Sequence, residues 1–365
     1  MIEIRKIGTD HPLFKDFLEL PFKLYPGKVD WVPPFLEGVA MELSPGNIFF
    51  KNGECQLFVA LGADQTVCGR VVASVDHSLR SSVKTGHVGY FEAIDDQAVA
   101  RGLFRAAEEW LRGKGMEVVQ GPLNLNIFTG YRLQLDSFDR EAYLGEPRSM
   151  PYYQDLFRAN HYVSLTKWKT FELEPRHVDQ LAQGLAQKSR AVAPSGSGYR
   201  IVSLDASNYK QEIIDLYPLC METFSENFGY AEMGLEEFLT HYLPLQNLLV
   251  KDYFLKVLDQ TGRAVAFAYS YPNRASDFRN AGGTIQKYRP GSDLDGTVLC
   301  AFGILKEHRR TSIAYDLIVH TLEAMKRNGG RKLSYFSLTK DGKTALDHLD
   351  CTVRNYEIYQ KPLKA

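Results

Sequence analysis

The sequence predicts a mixed α/β (α+β) fold that occurs twice in tandem, each copy a mixed, mostly antiparallel sheet flanked by helices. Three observations support this. The order β, α, β-hairpin, β, α, β, α, β can be read in residues 1–175 and again in residues 199–365. The hairpins of the two halves agree in position and turn chemistry: Leu57 and Phe254 are 197 residues apart, as are Val67 and Ala264, and the turns open on Asp64 and Asp259. In both halves a long amphipathic helix ends at glycine and leads into a further strand.

Taken in order, residues 2–7 alternate as a short strand, followed by a helical pattern around 13–20. Residues 56–61 and 67–75, joined by a polar turn, have the run–turn–run pattern of antiparallel pairing. Residues 86–94 read as a buried strand. The helix over 97–113 gathers Val99, Leu103, Ala106, Ala107 and Trp110 on one face. A strand at 117–120, a short helix at 152–159 and a strand at 162–173 close the first half. The second half repeats this with a strand at 199–204, a helix at 213–224, and a hairpin of 253–258 with 264–271. A strand at 296–305 and a helix at 312–328 follow, the helix carrying Ile313, Leu317, Leu322 and Met325 as its stripe. A strand at 332–338, a short helix at 343–349 and a strand at 352–362 complete it. Between the halves, a polar helical stretch at 179–188 and the run Pro194-Ser195-Gly196-Ser197-Gly198 mark a linker over 176–198.

At 365 residues the chain exceeds one ordinary core, so two domains are expected, 1–175 and 199–365. The net charge of −1 supplies no field for nucleic acid, and none is expected as a partner. Five cysteines without a C-x-x-C spacing argue against a disulfide framework, and nine histidines show no metal-ligand spacing, so no metal is expected. No apolar run approaches the ~18 residues that span a bilayer. The expectation is a cytoplasmic protein without a transmembrane segment, with peripheral membrane contact left open.

The most informative stretch is 302–318. Phe302 and Ile304 end a strand, His308, Arg309 and Arg310 form a basic turn, and Thr311, Ser312, Ile313 and Ala314 open a helix. Unpaired N–H groups and the positive dipole end at such a start suit a phosphate or pyrophosphate. The same slot in the first half holds Asp95, Asp96 and Gln97, whose carboxylates repel that ligand. One phosphate-bearing carrier, on the second half, is therefore expected.

The element order together with this segment resembles the GNAT superfamily of N-acetyltransferases. The family signature is Arg/Gln-x-x-Gly-x-Gly/Ala, onto which Arg309-Arg310-Thr311-Ser312-Ile313-Ala314 falls, with Ser312 in place of the usual glycine. The wider chain is similar to a bacterial group with two such folds in tandem, through Pro21-Phe22-Lys23-Leu24-Tyr25, Trp31-Val32-Pro33-Pro34 and Glu226-Asn227-Phe228-Gly229-Tyr230. The resemblance implies an acyl-coenzyme A co-substrate, its pyrophosphate on Arg309, Arg310, Thr311, Ser312, Ile313 and Ala314, and its pantetheine arm along Phe302 and Ile304. It implies an N-acyltransferase acting on a primary amine, with a lipid or other apolar amine among the acceptors. Leu346 stands where many members carry a tyrosine general acid. A non-catalytic double GNAT module that binds a ligand or protein is the alternative reading. An aminoacyl-tRNA-dependent transferase is a third, which the net charge does not favour.

Acyl transfer to an amine needs a group to take the amine's proton and donors for the developing oxyanion. Glu226 and Tyr230 lie in a loop mixing acid, amide, aromatics and glycine, and are the catalytic candidates of the second half. Glu92, a carboxylate inside an apolar strand, is the candidate of the first. Asn227, Asn124 and Asn126 are the candidate substrate-binding amides. Against each stands a plain structural use: a solvated carboxylate for Glu226, a core ring for Tyr230, an ion pair for Glu92, and turn chemistry for the asparagines.

Overall fold

The computed structural model describes residues 2–25, 31–192, 198–250, 252–329, 333–342 and 344–363, so most of the Pro194–Gly198 linker run lies outside the described residues. The chain forms two compact units built from non-contiguous segments. Unit 1 comprises 1–168, 275–290 and 354–365, and unit 2 comprises 169–274 and 291–353.

The elements of the first half are β1 (Glu3–Ile7), α1 (Phe14–Leu24), α2 (Leu36–Glu42), β2 (Gly53–Leu61), β3 (Val67–Asp76), β4 (Thr85–Ala93), α3 (Gln97–Gly113), β5 (Val118–Gly121), β6 (Leu133–Gln134), α4 (Tyr153–Ala159) and β7 (Val163–Leu173). Next come α5 (Pro175–Val192), β8 (Arg200–Ser203), α6 (Tyr209–Phe224), α7 (Leu235–Tyr242), β9 (Phe254–Leu258), β10 (Ala264–Asn273) and α8 (Ala275–Ala281). The chain ends with β11 (Gly296–Ile304), α9 (Ile313–Gly329), β12 (Leu333–Lys340) and β13 (Thr352–Pro362).

In unit 1 the strand order is β1-β2-β3-β4-β5-β13, with β6 also on β13. All described pairings are antiparallel except β4 with β5. In unit 2 the order is β8-β9-β10-β11-β12-β7, again antiparallel up to the parallel β11–β12 pair. The mixed, mostly antiparallel sheet read from the sequence is therefore present in both units. A helix between two parallel strands is what allows the crossover in each, α3 after β4 and α9 after β11.

Period-3.6 apolar patterning places Val99, Leu103, Ala107 and Leu111 of α3 against one face of β2–β4, all fully buried. Close approach there depends on Gly86, where a Cβ would collide with Leu111. The opposite face packs Phe17 and Leu20 of α1 on Leu57, Val59 and Val72. In unit 2, α9 is held by α5, with Ser189 Oγ donating to Asp316 Oδ1 at 2.5 Å and Lys326 pairing with Asp179 at 2.5 Å.

Three features differ from the sequence reading. Helices α2, α7 and α8, of seven, eight and seven residues, are too short to show two turns of periodicity. Residues 344–349 form turns rather than a helix. The closing strands are exchanged: β5 is paired with β13, from the second half, and β12 has β7, from the first, as its neighbour. Sequence order places each closing strand after its own half, and only pairing partners reveal the exchange.

Candidate functional site

In unit 2 the carrier segment begins where two parallel strands part. The β11–β12 register runs from Gly296↔Leu333 to Leu299↔Phe336, while β11 continues to Ile304 and β12 to Lys340. The parting coincides with a bulge: Tyr269 pairs with Ala301 and Ser270 with Leu299, so Cys300 is the extra residue. Beyond it, β11 keeps its β10 partners up to Ala266↔Ile304. The strand then turns through Lys306–His308 into α9.

At the start of α9, Thr311 Oγ1 accepts from Ile313 N at a long 3.4 Å, and Asp316 N donates to Ser312 O at 3.0 Å. The amides of Ala314 and Tyr315 belong to the first helical turn, whose N–H groups have no intrahelical acceptor. Arg309 and Arg310 are exposed, and Arg309 Nε donates to Ile304 O at 3.2 Å, tying the turn to the strand end. Ser312, the departure from glycine, is buried.

The acidic loop meets this segment. Glu226 Oε1 pairs with Lys306 Nζ at 2.6 Å, both largely exposed. The Lys306 ammonium holds the Glu226 carboxyl below the usual carboxylate range, which makes it a weak base at neutral pH. Tyr230 is buried, its hydroxyl 3.9 Å from Met221 Sδ. Asn227 is exposed in the same loop, its N–H donating to Phe224 O. Leu346 is buried in the 344–349 turns.

Unit 2 also holds an apolar cavity with about 430 Å³ of atom-free space, part of it open to solvent. Ile213, Leu216 and Cys220 of α6, Phe238 of α7, Tyr269 of β10 and Ala301 of β11 are among its walls. Burial pushes the Cys220 thiol up to about 12 and the Tyr269 and Tyr242 phenols up, so all three are neutral at physiological pH.

Unit 1 has the same wedge but fills it with its own chain. The β4–β5 register covers only Thr85↔Val118 to His87↔Gln120. Past that point Leu123 N donates to Val88 O at 2.8 Å and Tyr90 N donates to Asn124 Oδ1 at 2.6 Å. Tyr90 sits at the bulge of β4 with φ +49°. A Cβ on Gly89 would stand 2.6 Å from the Leu123 carbonyl carbon and 2.7 Å from Asn124 Cα. Asn124 is thus engaged by backbone. Asn126 caps a turn, accepting from Phe128 N at 3.0 Å and Thr129 N at 3.3 Å. At the start of α3 the Asp96 carboxylate accepts from Ala98 N at 2.7 Å, so a side chain occupies the position a phosphate would take.

Glu92 faces Arg70 across the β3–β4 pair and accepts from Tyr153 Oη at 2.5 Å. Tyr153 Oη in turn accepts from Ala93 N at 3.1 Å. Burial raises the Glu92 carboxyl to about 7 against the opposing pull of Arg70 and Tyr153. Glu42 on α2, which sequence reasoning did not single out, accepts from Tyr90 Oη at 2.9 Å and is likewise raised to about 7 by burial. Nothing local in the sequence marks it, because its burial depends on Tyr90 some fifty residues away. The bulge at Cys300 was also missed. Its signal is a polarisable residue inside an otherwise apolar run, which is weak by itself. Among the described residues no cluster of histidine, cysteine or carboxylate side chains could hold a metal, and no helix is long and apolar enough to cross a membrane.

No family model matches the chain. It is 28% identical over 264 residues to Protein YghO of Escherichia coli (strain K12), covering 71% of this chain and 65% of that one. It is 30% identical over 222 residues to a bacterial ceramide synthase of Caulobacter vibrioides (strain NA1000 / CB15N), covering 60% of this chain and 56% of that one. In both cases the chain spans less than two thirds of the relative's length. Among solved structures, a tandem GNAT protein from the clavulanic acid biosynthesis pathway superposes with a TM-score of 0.58 at 12% identity, over 100% of this chain and 99% of that one. The fold is the GNAT fold. The chain carries it twice, and in the first copy the wedge is filled by its own chain.

Proposed function

We propose that this protein is an N-acyltransferase that takes an acyl group from acyl-coenzyme A bound on unit 2 and transfers it to a primary amine. The observation that carries the reading is the contrast between the two wedges. In unit 2, β11 leaves β12 at a bulge and runs into a helix start beside two exposed arginines. In unit 1, the Leu123–Asn124 segment and Asp96 take the corresponding positions. Arg309 and Arg310 would hold the pyrophosphate with the amides of Ser312, Ile313 and Ala314, and the β11 edge at Phe302 and Ile304 would hold the pantetheine arm.

The chemistry is attack of the neutral amine nitrogen on the thioester carbonyl. A C–N bond forms, the C–S bond breaks, the amine proton leaves to a base, and the departing thiolate takes up a proton. Of the carboxylates named from the sequence, Glu226 lies beside the carrier segment, where the Lys306 pair keeps it ionised; Glu92 belongs to unit 1. The 30% identity to a bacterial ceramide synthase favours a lipid or otherwise apolar amine as acceptor. Isothermal titration with acetyl-coenzyme A tests the carrier assignment. Binding that an Arg309→Ala, Arg310→Ala double variant weakens by ~1–3 kcal/mol per lost charged contact is expected. Absence of binding by folded wild-type protein would falsify it.

A further inference from the structure

The cavity of unit 2 is placed and lined for a hydrocarbon chain. Its wall includes Ala301, the residue after the Cys300 bulge, where β11 parts from β12. From Ile304 back to Cys300 the strand covers ~13 Å, so a carrier arm laid along it from the start of α9 ends beside this opening. The walls are apolar rings and aliphatic side chains, and the thiol and phenols among them stay neutral. A polar group entering would leave hydrogen bonds unmade, whereas methylenes lose nothing.

Unit 1 supplies an internal comparison. The 197-residue offset between the repeats maps Arg70 onto Phe267 and Val72 onto Tyr269. In unit 1 Arg70 reaches under α1, donating to Phe17 O at 2.6 Å with its guanidinium 4.8 Å from the Phe17 ring. Phe17, Leu20, Val59, Val72 and Leu125 pack on that face as one buried cluster. In unit 2 the corresponding face, under α6 and α7, keeps its space. An acetyl group has no use for such space, since one methyl cannot reach the walls contributed by Leu216 and Phe238.

We propose that this cavity receives the fatty chain of the donor, so that the carrier is a medium- or long-chain acyl-coenzyme A. The inference rests on the carrier reading above, and one titration series separates the two. Full-length protein is titrated with coenzyme A, acetyl-coenzyme A, decanoyl-coenzyme A and decylamine. Each buried methylene adds roughly fourfold in affinity, so decanoyl-coenzyme A is expected to bind at least ~100-fold more tightly than acetyl-coenzyme A, which about four buried methylenes already supply. Ala301→Phe fills the cavity from the strand side, and Leu245→Trp fills it from the neighbouring surface turn. In each the two thioesters should bind with affinities within about threefold of each other. The second variant lies outside the sheet and keeps the test decisive if the first fails to fold. Equal affinity of both thioesters for the wild-type protein overturns the inference and leaves the carrier site standing. Decylamine binding that both variants abolish, with equal thioester affinities, also overturns it and assigns the cavity to the acceptor's tail. No binding of coenzyme A or either thioester overturns both readings.

Discussion

A methyl group placed on Gly89 tests whether the first wedge is truly filled. The Cβ would fall 2.6 Å from the Leu123 carbonyl carbon and 2.7 Å from Asn124 Cα, both backbone atoms that no rotamer change can move. Either β4 or the 123–125 segment must give way. If the segment lifts, the Leu123 N–Val88 O and Tyr90 N–Asn124 Oδ1 bonds are lost, at about 1 kcal/mol each. Leu123 and Leu125 are both 1% exposed, and a fully buried leucine is worth ~1.5–3 kcal/mol, so re-exposing about half of each adds ~2 kcal/mol. Gly89→Ala should therefore destabilise by ~4 kcal/mol. At ~2–4 °C per kcal/mol for a unit of this size, the melting temperature falls by ~8–16 °C. Gly113→Ala, where a Cβ meets nothing within 4 Å, is the control and should be neutral or slightly stabilising. Thermal unfolding by circular dichroism, with hydrogen exchange at the Leu123 amide, reads both variants. A Gly89→Ala protein that melts within ~2 °C of wild type, with that amide still protected, would show that the segment does not occupy the wedge.

Other consequences can be checked in parallel. Glu42 is raised from 4.5 to about 7 by burial, so the folded state holds a proton that the unfolded state has released between those values. Stability should therefore fall by ~3 kcal/mol as pH rises from ~4.5 to ~7 and stay lower above. Glu42→Gln keeps an acceptor for the Tyr90 hydroxyl and should remove roughly half of the pH dependence in urea unfolding at pH 5 and 8, since Glu92 carries a similar rise; an unchanged slope rejects the assignment. Glu226→Gln should leave the unfolding midpoint essentially unchanged, because the Lys306 pair is exposed and screened by solvent. If Glu226 removes the amine proton, Glu226→Gln should lower the rate by ~10²–10⁴, read as kcat in an acyl-transfer assay. A Glu226→Gln protein that keeps the wild-type rate to within about twofold would remove the role from Glu226. Fragments 1–192 and 198–365, expressed singly, should fail to give cooperative unfolding, since the first lacks β13 and the second lacks β7.

Local pattern made much of the fold legible. The hairpins, the two long helices and the strands feeding them are legible to within about three residues, the start of β2 being the largest miss, because alternation and 3.6-residue stripes are written in consecutive positions. The short helices α2 and α7 were not, because seven or eight residues carry too little period. The bulges at Tyr90 and Cys300 are also invisible locally, since a bulge is a property of two strands. At the site, the helix start at Ser312–Ala314 and the acidic counterpart at Asp95–Asp96 were readable from residue type and slot. Lys306 as the partner of Glu226, Asn124 as a backbone acceptor and Glu42 beside Tyr90 depend on contacts 80, 34 and 48 residues apart. No spacing rule reaches that far. The cavity lay hidden for a related reason. Its lining residues are ordinary apolar side chains, and only the failure of α6 and α7 to close on the sheet distinguishes them from core.

The exchange of closing strands sets an order of assembly on a growing chain. Tyr359 and Leu363 are buried in the first core cluster, and the Tyr359 ring stacks on Phe157 at 5.4 Å. Everything else on that side of unit 1, apart from the 275–290 segment, has left the ribosome roughly two hundred residues earlier. Until residues 354–363 emerge, β5 presents an unpaired edge and Phe157 an open face, the two kinds of surface that recruit wrong partners during synthesis. The unit translated first is thus the one completed last. Conditions that slow release of the C-terminus should raise aggregation through the N-terminal half, and a helper protein that shields nascent edges should matter most during that interval.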